Sequence, residues 1–291
     1  MEQITPNVYV ETKRRGCNPG IVFTSEGSVF IDTAQLITDL LEQREFAKKR
    51  GPIRYLINTE GHIDHIFGNH WFTGETTVIG HEQLNDLFWT VAGELDCYDY
   101  SLDVIERQDA DMLHLMPSRE EYVVNRPQIT FSERMELIVG DTQFHLYHTP
   151  GHSPSQICVH VPKEKVLFVG DTIFSECQTW LHSAEIDLLL ETLDFLESLD
   201  DVEWIVPGHG PVVKKDYIAT QRTVILDWLA AVEEGMKKGW SQEECLANIS
   251  FADRWPVDIG QGEMMEYIQH TNVVKCYNLL KKAEKEGGAK A

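Results

Sequence analysis

The sequence predicts an α+β protein: two β-rich stretches forming a sheet sandwich flanked by helices. Two observations predict it. In each half short β-rich runs come first and a segment with helical apolar spacing follows. Of 291 residues, 42% are apolar, enough to bury a sizeable core.

In the first half, VYVE (8–11), GIVFT (20–24) and SVFID (28–32) are separated by Gly, Asn and Pro, the residues that turns require. Residues 35–50 then carry apolar side chains at helical spacing, and IRYLIN (53–58) reads as a further strand. TTVIG (76–80) continues the β pattern and 81–92 the helical one. There follows a polar, aromatic stretch to about 127 with Trp89, Tyr98, Tyr100, Met112, His114 and Met116, which reads as an insertion that could serve as a lid. In the second half, MELIV (135–139), QFHLYHT (143–149), QICVHV (156–161) and KVLFVGD (165–171) are strands, 185–199 a helix and VEWIVPG (202–208) a strand. From 216 onward the composition turns helical, with a capping box from Ser241 to Glu244 opening one segment and a frayed end expected at EKEGGAKA. The expected organisation is a catalytic unit over 1–215, with the insertion at about 89–127, and a helical extension over 216–291 packed on it. Trp228, Trp240 and Trp255 read as core, while exposed aromatics on the extension would mark a homodimer surface.

A net charge of −22, from 47 Asp+Glu against 25 Lys+Arg, repels phosphate backbones and anionic membranes, so neither nucleic acid nor membrane is an expected partner. No apolar run approaches the roughly 20 residues of a membrane helix. The six scattered cysteines contain no C-x-x-C pair and no secretory segment is visible, which points to reduced thiols and a cytoplasmic location.

Five strand-like runs end in groups that bind metal. They are SVFIDTA with Asp32; LINTEGHIDH with Glu60, His62, Asp64 and His65; HTPGHSPSQ with His152; FVGDTIF with Asp171; and VPGHGP with His209. Acids and imidazoles that follow buried strands need compensation, and a metal ion satisfies several at once. Ser153 and Thr172 follow two of these positions, but neither has a base that marks it as a nucleophile. Of the remaining histidines, His114 and His182 are candidates to reach a substrate, and the rest read as ordinary surface or core residues.

The order of these motifs over residues 4–212 resembles the metallo-β-lactamase superfamily, whose pattern is an early Asp, H-x-H-x-D-H, then His, Asp and His. The resemblance implies an αββα four-layer sandwich with two divalent metal ions, commonly zinc, at the strand edge. It implies one site from the residue at position 60 with His62 and His152, and a second from Asp64, His65 and His209, with Asp171 bridging both. Asp32 would orient these ligands by hydrogen bonds without binding metal. A hydroxide between the ions would attack the substrate, Asp64 or a bound water would assist proton transfer, and lactones, thioesters, other esters and hydrolysable leaving groups are the implied substrates.

Glu60 departs from that pattern, which has His there. Glu60, His62 and His152 form a two-His-one-carboxylate set, which suits iron or manganese better than an all-His set does, although zinc also accepts carboxylate. The leading expectation is a metal-dependent hydrolase acting on a small neutral or weakly anionic molecule. Two other classes are a di-iron redox protein handling dioxygen or nitric oxide, and a non-catalytic metal-binding protein in which Glu60 has inactivated the first site.

Overall fold

In the computed structural model, residues 1–85, 97–258 and 262–288 are described. The first sheet runs in the order β1 (Glu2–Gln3), β2 (Val8–Val10), β3 (Gly20–Thr24), β4 (Gly27–Ile31), β5 (Ile53–Ile57), β6 (Thr77–His81) and β7 (Ile129–Phe131). The second contains β8 (Arg134–Val139), β9 (Thr142–His148), β10 (Ile157–Val161), β11 (Val166–Phe174), β12 (Trp204–His209) and β13 (Val213–Lys214), in reverse order from β13 to β8.

Period-two alternation sets the layers. Val29 and Ile31 of β4 face the second sheet, where they join Val159, Val161 and Phe168 in a shared core. Phe30, between them, faces outward and packs with Leu40 of α1 (Ile37–Lys48), Leu56 and Phe72. On the second sheet Val166 and Phe168 point inward, while Leu167 and Val169 meet α4 (Ile186–Ser198) and the C-terminal helices. The result is helix, sheet, sheet, helix: the expected four-layer sandwich.

Topology explains the strand-then-helix pattern of each half. β4 and β5 are parallel neighbours joined through α1, and β11 and β12 are parallel neighbours joined through α4. Each pair is therefore a β-α-β crossover, which brings the C-terminal ends of both strands to one edge of the sheet. Asp32 and the 58–65 segment leave the first pair, and Asp171 and His209 lie near the ends of the second.

Three further helices, α5 (Tyr217–Lys237), α6 (Gln242–Asn248) and α7 (Met265–Gly288), cover the outer face of the second sheet. Ile225, Trp228, Cys245 and Val273 share an apolar cluster there with Leu189 and Leu193 of α4. Trp228 is buried and Trp240 packs against the same cluster. The Ser241 capping box is formed, with Glu244 N donating to Ser241 Oγ and Ser241 N to Glu244 Oε2.

Several boundaries differ from the sequence reading. β11 continues past Asp171 to Phe174 because its pairing with β12 shifts register around Gly170. β7 is an addition to the expected strands: ITF is short, and its partner β6 is distant in sequence. The insertion contains α3 (Cys97–Gln108) and a 3-10 turn, Ala110–Leu115. Ile105 and Met112 pack against Ile37 and Phe67, and Tyr98 lies edge-on to Tyr122, which stacks on His70. Trp89 and most of the helix expected over 81–92 lie outside the described residues.

Cys17, Cys158, Cys177, Cys245 and Cys276 are buried and unpaired. Among the described residues no helix is long and apolar enough to cross a membrane.

Candidate metal centre

β5 ends at Ile57 and the chain then runs through Asn58, Thr59 and Glu60 before a single helical turn, Ile63–Ile66 (α2). This short segment is clamped. The Asn58 and Asn69 amides hydrogen-bond to each other at 2.8 and 3.1 Å, and Thr33 holds the His65 carbonyl through both its amide and its hydroxyl. Asp32 accepts from Thr59 N at 2.7 Å and Thr59 Oγ1 at 2.6 Å, and its Oδ2 lies 2.9 Å from His65 Nδ1. One carboxylate thus fixes the loop backbone and turns His65 Nε2 toward the centre. Asp32 has φ 57°, a left-handed conformation that Asp tolerates better than most residues.

His152 sits in the β9–β10 connection. Its carbonyl accepts from Ser183 Oγ at 2.9 Å, and the Gly151 carbonyl accepts from Glu185 N at 2.7 Å. Asp171 is re-aimed by the irregularity around Gly170, as bulges commonly do beside functional sites. Gly208 passes so close to Asp171 that a Cβ there would fall on Asp171 Oδ1. His209 ends β12, its ring stacked on Phe174 with an interplanar angle of 2°.

These elements bring together every metal-ligating side chain expected from the sequence. Glu60, His62, His152 and Asp171 offer ligand atoms within 4.8 Å of one another, and so do Asp64, His65 and His209. Glu60 Oε2 is 2.7 Å from His62 Nδ1, and Glu60 Oε1 is 3.5 Å from His65 Nε2 and 3.8 Å from His152 Nε2. Asp171 links the two groups: Oδ1 is 3.2 Å from His65 Nε2, and Oδ2 is 3.5 Å from His152 Nε2 and 3.4 Å from His209 Nε2. His209 Nε2 is also 3.4 Å from Asp64 Oδ2.

The donor set fits divalent cations. Glu60 Oε1, His65 Nε2 and Asp171 Oδ1 are buried and make no hydrogen bond, and Glu60 Oε2 is buried against the His62 ring nitrogen. Buried polar atoms without partners are costly, and a shared cation removes that cost for all of them together. Electrostatics agree. Burial pushes the Glu60 carboxyl up, but His62 and then His152 outweigh it and hold it below the usual range. Burial likewise opposes ionisation of Asp171, yet His209 and His65 hold it well below that range. Burial works to lower His62, and the Glu60 carboxylate overcomes it, raising the imidazole to about 9. Without cations, protons on His62, His65 and His209, all held above the usual imidazole range against burial, supply the positive charge these acids demand, whereas burial holds His152 below that range.

His182, one of the two further histidines singled out, lies over His62 with ring centroids 5.5 Å apart. Burial, followed by His62 and His152, pushes it down to about 4, so it stands neutral beside the cluster. His114 is exposed and turned instead to the Asp111 carbonyl at 2.7 Å.

The sequence reading missed Asp258. Its Oδ2 lies 2.7 Å from His209 Nδ1, and its side chain is only 3% exposed. An acid in WPVDIGQG, far from the motifs and followed by a turn-like Gly, gave no signal, because the contact depends on how the extension folds back.

The fold and the centre together define a known class of protein. The sequence matches the Metallo-beta-lactamase superfamily over residues 12–209, and the chain belongs to that superfamily. Acyl-coenzyme A thioesterase MBLAC2 of Gallus gallus is 33% identical over 88 residues, 29% of this chain and 32% of that protein. Hydroxyacylglutathione hydrolase of Rhizobium meliloti is 28% identical over 95 residues, 31% of this chain and 37% of that protein. The chain thus spans about a third of the length of these curated relatives. Among solved structures, a metallo-beta-lactamase family protein from Thermus thermophilus superposes with a TM-score of 0.63 at 17% identity, covering 98% of this chain and 95% of that one. The sec-alkylsulfatase Pisa1 from Pseudomonas sp. gives 0.66 at 18% identity, covering 94% of this chain and 49% of that one. These two likenesses establish the fold.

Proposed function

We propose that this protein is a metal-dependent hydrolase with a two-ion centre, Glu60, His62 and His152 holding one ion, Asp64, His65 and His209 the other, and Asp171 shared between them. The observation that carries this reading is the sharing itself: Asp171 reaches His65, His152 and His209 within 3.5 Å while its Oδ1 has no hydrogen bond. Divalent cations held by these residues would supply water activation near neutral pH and polarisation of an acceptor oxygen. The chain's own groups do the rest. Asp64, 17% exposed where Glu60, Asp32 and Asp171 are 0–6% exposed, is the carboxylate placed to exchange a proton with solvent. His182, over His62, stands where an incoming substrate would pass.

A thioester or another activated ester of a small acyl group is the proposed substrate. The thioesterase named among the relatives supports it, while the net charge of −22 opposes a polyanionic carrier such as coenzyme A and favours a less charged thioester or ester. Glu60 in the first site favours iron or manganese, with zinc also accommodated.

The test is elemental analysis of protein purified without chelators, followed by a panel of thioester, lactone, phosphodiester and sulfate ester substrates. Two ions per chain with chelator-sensitive turnover of a thioester or lactone is the expected result. A chain that takes up no divalent ion, or one that is fully loaded and hydrolyses nothing on the panel, overturns the reading.

A further inference from the structure

We infer that Asp258, carried by the C-terminal extension beyond the superfamily match at 12–209, is a positioning residue that fixes His209 for metal binding, so that the extension completes the centre. This rests on the reading of the cluster as a metal centre.

The geometry is directional. The two ring nitrogens of an imidazole point to opposite sides, and in His209 each is committed: Nδ1 to Asp258 Oδ2 at 2.7 Å, and Nε2 to Asp64 and Asp171, both at 3.4 Å. An acid 2.7 Å from Nδ1 favours a proton on that nitrogen, which leaves Nε2 free to bind a cation placed between it and the other acids. Phe174, stacked on the ring, blocks its rotation out of that plane. Asp258 is committed in turn. Among the described residues no group hydrogen-bonds either of its oxygens, and the polar atom that lies against Oδ2, at 2.7 Å, is His209 Nδ1, so a buried carboxylate faces His209.

The extension is built to hold that carboxylate in place. Gln178, just beyond β11, donates from its amide to Pro256 O at 2.9 Å and from Nε2 to Trp255 O at 2.7 Å and Phe251 O at 3.0 Å. Gln269 of α7 donates to Gln178 Oε1 at 2.8 Å and accepts from Phe251 N at 2.7 Å. The segment ending at Asp258 is thus tied to the loop that follows Asp171 and to the last helix. Asp32 stands to His65 as Asp258 stands to His209, with an oxygen 2.9 Å from Nδ1. Each sheet therefore presents one imidazole backed by an acid, the first from within the motif-bearing core and the second from the extension.

Asp258→Ala and Asp258→Asn in the full chain test this, with zinc affinity read by competition against a chromogenic chelator and the visible bands of the cobalt(II)-loaded protein recorded alongside. Asp258→Ala is expected to weaken one of the bound ions by about 10- to 100-fold and to change its cobalt spectrum. Asp258→Asn, which keeps an acceptor for Nδ1–H but no charge, is expected to fall between, and melting of the metal-free proteins reports the fold independently. Wild-type affinity and spectrum in Asp258→Ala overturn the inference. Where that variant does not fold, Asp258→Asn decides, with a several-fold loss expected and wild-type affinity overturning it. Wild-type protein that takes up neither metal sinks the metal centre itself, whereas wild-type protein that loads beside an equally tight variant sinks only the role of Asp258.

Discussion

Glu60→Ala removes a carboxylate from the middle of the cluster. The side chain is wholly buried, with Oε2 2.7 Å from His62 Nδ1 and Oε1 3.5 and 3.8 Å from the Nε2 atoms of His65 and His152. A cation held by His62 and His152 would have this carboxylate as a neighbour, and one pair of unit charges about 4 Å apart is worth about 4 kcal/mol at an effective dielectric of about 20. At about 1.4 kcal/mol per decade, that is roughly a thousandfold in affinity for the first ion. The second ion, held by Asp64, His65 and His209, is expected to stay. Wild type and variant dialysed together against a chelator should therefore differ by about one ion per chain by elemental analysis, with most turnover lost. Glu60→His restores a ligand without its charge and should move preference toward zinc. Unchanged metal content and unchanged turnover in Glu60→Ala would refute the assignment of Glu60 as a ligand.

Asp32→Asn keeps the left-handed backbone at φ 57° but removes the charge that Thr59 and His65 share, and should destabilise the protein by roughly 2–3 kcal/mol in urea denaturation. A loss below about 0.5 kcal/mol, within the range of ordinary surface substitutions, would show that this contact does not hold the loop. Gly208→Ala places a methyl on the Asp171 carboxylate, so both ions should be weakened together, and retention of full metal content would contradict the shared role of Asp171. Metal uptake should tighten as pH rises. Burial lowers the His62 pKa and Glu60 more than reverses it, to about 9 from 6.5, so protonation stabilises the metal-free fold fully below about 6.5 and this contribution is lost as pH rises through about 9. A cation must displace that proton, and calorimetry in buffers of different ionisation enthalpy should detect its release; uptake without proton release would count against His62 as a ligand.

How far the sequence could be read follows from which forces are local. GIVFT, IRYLIN and QICVHV each match a strand end to end or within one residue, because apolar runs bounded by turn residues carry their own signal. Glu60, His62, Asp64 and His65 were legible because they share one short segment after β5, and His152, Asp171 and His209 because each follows a recognisable strand. Other features depend on tertiary context. The passage of β11 beyond Asp171 follows from its partner strand, and the pairing of β7 with β6 joins segments about 50 residues apart. The aromatic insertion reads as a lid by composition, and which rings meet was not legible: Tyr98 lies against Tyr122 and Tyr122 against His70.

Asp258 marks the sharpest division between the two kinds of information. A motif records side chains whose spacing is fixed by one loop or one strand, and the pairing of Asp32 with His65 is of this sort: parallel β4 and β5 place the two chain ends side by side. His209 also ends a parallel strand, but β11, its neighbour, uses its own acid, Asp171, between the two ligand groups, leaving nothing in the crossover to hold His209 Nδ1. That nitrogen faces the helical layer. The acid that reaches it comes from the segment ending at Asp258, beside α5–α7. The same reasoning bears on evolution of the extension: its apolar contacts with α4 can change freely while volume is conserved, whereas the Gln178–Gln269 amide pair and the carboxylate it positions are constrained by hydrogen-bond direction.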